Sequence, residues 1–77
     1  MDIIMKEGTL IICELKSSIS IAGMYAFERK VKFYERRHKR KAKKMIVISP
    51  MVDKREKVVT DQLGIEVYMH SDEVEEL

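Results

Sequence analysis

The sequence predicts a three-layer α/β domain with the element order ββαβαβ, a mixed four-stranded sheet and helices on both faces of that sheet. Three observations predict it. Two aliphatic, β-branched runs at 1–5 and 9–16 flank Lys6-Glu7-Gly8, the pattern of a hairpin. Two helical stretches follow, each leading into a short apolar run, at 45–49 and 65–69. That alternation builds parallel strands through right-handed crossovers.

In the hairpin, Gly8 supplies the positive φ that closes a three-residue loop with a bulge. Both faces of the paired strands are apolar, with Ile4, Leu10 and Ile12 on one and Ile3, Ile11, Cys13 and Leu15 on the other. A sheet apolar on both faces calls for cover on both. Ser20 is a good N-cap for a helix over 21–39, in which Met24, Phe27, Val31 and Tyr34 recur at steps of three and four. The basic run 36–44 frays its end. Residues 45–49 form a continuous apolar run that stops at Pro50, as a buried strand does. Asp53 and Glu56 have capping-box spacing, opening a second helix through Val58, Val59 and Leu63 that Gly64 terminates. The last strand is 65–69. One domain over 1–70 and an acidic tail over 71–77 account for the chain.

Composition narrows the function classes. A chain of 77 residues, 45% hydrophobic, is globular and has room for one modest core. No apolar run reaches the roughly 20 residues of a membrane span, and Lys6, Glu7 and Gly8 interrupt any leader-like start. A soluble, cytoplasmic protein is expected. The lone Cys13 excludes an internal disulfide and reads as a small buried hydrophobe; His38 and His70 are isolated, so no zinc cluster is offered. Asn is absent, Gln62 is the only Gln, and 36% of residues are charged, a balance that suits a thermophile.

The net charge of +2 conceals a polarity. Residues 28–44 hold ten Lys or Arg against Glu28 and Glu35, whereas the tail carries Asp72, Glu73, Glu75 and Glu76 and no base. Arg29, Lys32, Arg36, Arg37, Lys39 and Arg40 are therefore the candidate nucleic-acid-binding residues.

The candidate chemistry sits in the hairpin. Glu14 and Lys16 are two apart on a strand and share a face. With a three-residue loop, Asp2 pairs with Ile12 and falls on the Glu14 face; with a two-residue loop, it falls on the opposite one. Gly8 as third loop residue favours the first. Two carboxylates that converge repel, and a divalent cation relieves the repulsion. Magnesium takes hard oxygen ligands and bridges to phosphate, while a nearby ammonium can orient water and offset charge on a pentavalent phosphate.

Asp2, Gly8 in a hairpin turn and Glu14-Leu15-Lys16 followed by a basic helix resemble the PD-(D/E)XK nuclease superfamily, and its small archaeal members above all. The resemblance runs from Met1 to about Met69. It implies a restriction-endonuclease-like core hydrolysing phosphodiester bonds of nucleic acid with Mg2+ or Mn2+; DNA is favoured over RNA as the substrate, with the choice between them left open. Carried over residue by residue, it implies metal binding by Asp2, Glu14 and the Leu15 carbonyl, and positioning of the attacking water by Lys16. Tyr25 and Glu28, one turn apart near the helix start, are accessory candidates. Met1 stands where the motif has Pro, and the superfamily's opening helix and strand are not seen before Asp2. A short N-terminus would leave the hairpin edge uncovered, so a homodimer is expected. The alternative is a catalytically inactive nucleic-acid-binding or oligomerisation module with the same fold.

Overall fold

A computed structural model describes residues 1–70 and 72–73 of the chain. Strand β1 (Asp2–Lys6) and strand β2 (Thr9–Leu15) form an antiparallel hairpin. Helix α1 (Ile21–His38) leads to β3 (Lys44–Ile48), and helix α2 (Lys54–Leu63) leads to β4 (Ile65–Tyr68). The sheet order is β1-β2-β3-β4, with β2, β3 and β4 mutually parallel. The mixed four-stranded sheet and the ββαβαβ order are those the sequence predicts.

Local signals fix the helix ends. The Ser20 hydroxyl accepts from the Gly23 N–H at 3.0 Å and caps α1, removing one of the unpaired donors that every helix start carries. Lys39 ends α1 in the left-handed conformation, φ 52°, sooner than a gradual fraying would. At α2 the capping box is reciprocal: Asp53 Oδ1 accepts from Glu56 N–H, and Glu56 Oε1 accepts from Asp53 N–H. Gly64, at φ 75°, turns the chain into β4.

The core lies between the sheet and the helices. Leu10 and Ile12 of β2, Val47 of β3 and Ile65 of β4 pack with Met24, Phe27 and Val31 of α1, and Val59 and Leu63 of α2 join them. Each fully buried side chain of this size stabilises the fold by about 1.5–3 kcal/mol. A second cluster, on the other face, includes Ile11, Cys13, Ile46 and Ile48 with Ile4 and Tyr68, all from strands among the described residues.

Helices α1 and α2 both pack on the face that carries Leu10, Ile12 and Val47. The cause is topological. The strands advance in one direction, from β2 to β3 to β4, and right-handed crossovers made in one direction put their helices on the same side. One expectation is corrected here: the hairpin loop is one residue shorter than expected. Lys6 pairs with Thr9, leaving Glu7 and Gly8 as the loop, with φ of 54° and 79°. Two positive φ values in a two-residue loop make a type I′ turn, whose twist matches that of the strands. The shorter loop reverses the parity of β1. Ile4 joins the second cluster with Ile11 and Cys13, while Met1, Ile3 and Met5 alternate onto the side of α1 and α2 and stay exposed.

Among the described residues no helix is long and apolar enough to cross a membrane. Residues 71 and 74–77 of the acidic tail lie outside the described residues.

Candidate functional site

Glu14 lies near the end of β2, in line with Leu10 and Ile12, and so points towards α1. Its side chain is only 12% exposed. From α1, Lys30 Nζ donates to Glu14 Oε1 at 2.8 Å. Lys16 Nζ stands 3.6 Å from Oε2. Oε2 is buried and has no hydrogen-bond partner in the protein. Burial pushes the Glu14 carboxyl up, but the Lys30 hydrogen bond, with the charges of Lys30, Lys16 and the N-terminal ammonium, outweighs it and holds the group below its ordinary value. Glu14 is therefore an anion held ready between two ammonium groups.

Small residues on α1 let the lysines reach it. Gly23, Ala26 and Lys30 follow one another at helical spacing of three and four. A Cβ on Gly23 would come 2.8 Å from the Ser20 capping hydroxyl and 3.8 Å from Lys16 Nζ. Lys30 was not among the residues expected at the site, and this stripe of small residues ending in a cation is the signal that could have found it.

Asp2 is not brought to this cluster. It pairs with Cys13, so it shares the Cys13 face, opposite to that of Glu14. The Cys13 thiol registers the neighbour: burial pushes it up, the Asp2 charge adds to that, and the N-terminal ammonium opposes both. The expected convergence of Asp2 with Glu14 is thus corrected, because the two-residue turn moves Asp2 to the far face. The Leu15 carbonyl is placed differently. Lys16 N–H donates to Ile48 O at 2.9 Å, so by alternation along the ladder the Leu15 carbonyl faces the β1 side, beyond Asp2, where β1 has ended.

Glu14 suits a hard cation, since a buried carboxylate oxygen without a partner is what such an ion would complete. Asp2 does not, from its present face. Among the described residues no group of three or more His, Cys, Asp or Glu side chains gathers as a metal cluster. Tyr25 is exposed, and Glu28 is half-buried on the line of Met24 and Val31 rather than that of Lys30.

The basic residues form a second feature. Arg29, Lys32, Arg36, Lys39 and Arg40 line one groove with Lys41 and Glu35, so five of the six expected binding residues are together; Lys41 was not foreseen. Glu35 builds the groove. Its Oε2 accepts from Ala42 N–H at 2.7 Å, and its backbone carbonyl accepts from Lys39 and Arg40 N–H. These bonds fold the basic turn back onto the helix. Arg37, the sixth, lines a separate groove with Met1, Ala26, Lys30, Phe33 and Tyr34, and Arg29 borders both.

A family model described as the PD-(D/E)XK nuclease superfamily matches residues 1–66. The chain belongs to that superfamily. Its matched span takes in the hairpin, Glu14-Leu15-Lys16, both helices and the start of β4. No curated protein and no solved structure matches the chain. Members of that superfamily are nucleases that generally use divalent metals.

Proposed function

We propose that this member of the PD-(D/E)XK superfamily is a metal-dependent nuclease-like domain that hydrolyses phosphodiester bonds of nucleic acid, DNA rather than RNA, in the cytoplasm. The observation that carries the reading is Glu14 Oε2, buried, anionic and without a hydrogen-bond partner, beside the Lys16 ammonium. Glu14 would hold Mg2+ or Mn2+, with the Leu15 carbonyl as a further oxygen donor. A bound divalent ion supplies Lewis acidity to the scissile phosphate and lowers the pKa of a bound water. Lys16 orients the attacking water and offsets the charge that grows on the phosphate. Lys30 keeps Glu14 ionised and aimed. Arg29, Lys32, Arg36, Lys39 and Arg40 hold the backbone of the substrate along the basic groove.

Among the described residues no strand pairs with the outer edge of β1, and Ile3 and Met5 are exposed beside it, an arrangement that suits pairing with a second copy in a homodimer. A second reading is favoured by one specific observation, the placement of Asp2 on the face opposite Glu14. It describes an inactive module that binds nucleic acid through the same groove.

Cleavage assays separate the two. The nuclease reading expects cleavage with magnesium or manganese and binding without cleavage in calcium. Glu14→Ala and Lys16→Ala should each lower cleavage by roughly 100-fold or more, with the circular-dichroism spectrum unchanged. Activity that survives both substitutions would overturn the assignment, and tight binding with no cleavage under any metal would select the second reading.

A further inference from the structure

We propose that the apolar groove beside Glu14 seats an unpaired base, so that the substrate class is single-stranded nucleic acid or a frayed end rather than intact duplex. The inference rests on the reading that the polyanion is nucleic acid. The groove is open to solvent and has a volume of about 590 Å³. It is lined by the apolar or aromatic Met1, Ala26, Phe33 and Tyr34 and by the cations Arg29, Lys30 and Arg37. Phe33 is 58% exposed, an aromatic face left in water next to three cations. Tyr34 packs against His38, with ring centroids 4.2 Å apart and planes tilted by 34°, so a second aromatic ring lines the groove. Aromatic platforms flanked by Arg and Lys bind single strands because every base offers a π face and every nucleotide a phosphate. In a duplex those faces are hidden in the stack.

Position strengthens the case. Arg29 borders both grooves, so a backbone lying in the basic groove can pass around it and deliver its next base to Phe33. Lys30 lines the apolar groove and holds Glu14 at 2.8 Å, which puts that nucleotide's phosphate beside the candidate active site. A second copy of this chain is a poor occupant. A two-fold contact centred on the groove would set Arg29 and Arg37 against their own duplicates, and among the described residues neither has an acidic partner.

Fluorescence anisotropy without divalent cations tests the proposal, using a labelled 12-nucleotide single strand as DNA and as RNA, and the DNA duplex of the same sequence. The wild-type chain should bind the single strands more tightly than the duplex. Phe33→Ala should weaken single-strand binding by roughly 5- to 150-fold and leave duplex binding unchanged, and Phe33→Trp should restore it. The DNA and RNA arms identify which strand the groove prefers, and the base-seating claim holds with either. Single-strand affinity unaltered by Phe33→Ala, while Arg36→Ala with Arg40→Ala weakens all binding, would overturn the base pocket and leave the nucleic-acid reading standing. No binding by the wild-type chain to any oligonucleotide would overturn both. A Phe33→Ala chain that binds as before but sediments as a smaller species would make the groove a subunit contact and overturn the proposal.

Discussion

On one face of the sheet, Leu10, Ile12 and Val47 lie beneath Met24, Phe27 and Val31, and the row ends at Glu14, held by Lys16 and Lys30. On the other, Ile11, Cys13, Ile46 and Ile48 pack with Ile4 and Tyr68, and the row ends at Asp2, which is exposed and has no ion-pair partner among the described residues. Both faces are apolar, yet only one holds a largely buried, ion-paired carboxylate. The difference comes from the helix. α1 excludes water from Glu14, which makes its charge costly, and supplies Lys30, which makes that charge stable. Asp2, on the other face, is exposed, keeps its water and needs no partner. In this fold, the state of a carboxylate is set by what lies over the strand as much as by the strand itself.

The largest expected contrast between the faces is in stability. Phe27→Ala, emptying the helix-covered core, should cost about 3–5 kcal/mol, enough to unfold much of a domain this small at ambient temperature. Cys13→Ala, on the other face, removes one sulfur and should cost about 1 kcal/mol. Urea denaturation checks both, and equal losses would mean that the two clusters share the load.

Electrostatics should separate the faces next. Because the Glu14 carboxyl is depressed, its ion pairs stabilise the fold at pH values above the ordinary glutamate range. That contribution is lost as pH falls through the depressed folded value. Lys30→Met removes the main counter-charge and leaves burial less opposed, so the Glu14 midpoint should rise in a carbon-detected NMR titration. The cost in stability at neutral pH should be about 1 kcal/mol, since Lys30 is half-exposed and well screened. The cost should vanish in acid. A Glu14 midpoint unmoved by Lys30→Met would break the account of its depression.

The smallest effect expected is at the turn. Glu7 is held at φ 54°, a conformation that Asn tolerates better than Glu. Glu7→Asn should stabilise the chain by roughly 0.5–1 kcal/mol. It should leave in place the cross-strand contact between the Hα protons of Ile3 and Ile12 that the two-residue loop requires. A destabilised variant with Asp2 beside Ile12 in nuclear Overhauser spectra would restore the longer loop and the shared face.

These particulars show why some of the architecture was readable in the sequence. Ser20, the Asp53–Glu56 box and Gly64 act within four residues of themselves, so their spacing alone places both helices to within a residue. The E-x-K run and the basic helix were equally plain. The turn was not, because Glu-Gly lacks the Asn-Gly or Asp-Gly pair that advertises a two-residue loop, and one residue of loop length decides the face of Asp2. The side taken by the helices was hidden as well. It depends on strand order, which no local pattern encodes. Lys30 is sixteen residues from Glu14, and only the β2–α1 crossover makes them neighbours.

On the proposal made above, Glu14 on the helix-covered face would hold the divalent ion without Asp2. A magnesium titration followed on the side-chain carboxyl carbons by NMR tests it most directly. The Glu14 resonance should shift in a saturable way while Asp2 stays where it is, and Glu14→Ala should abolish saturable binding that Asp2→Ala leaves intact. Asp2 and Glu14 moving together along a single binding curve would contradict the claim and place both acids on one ion.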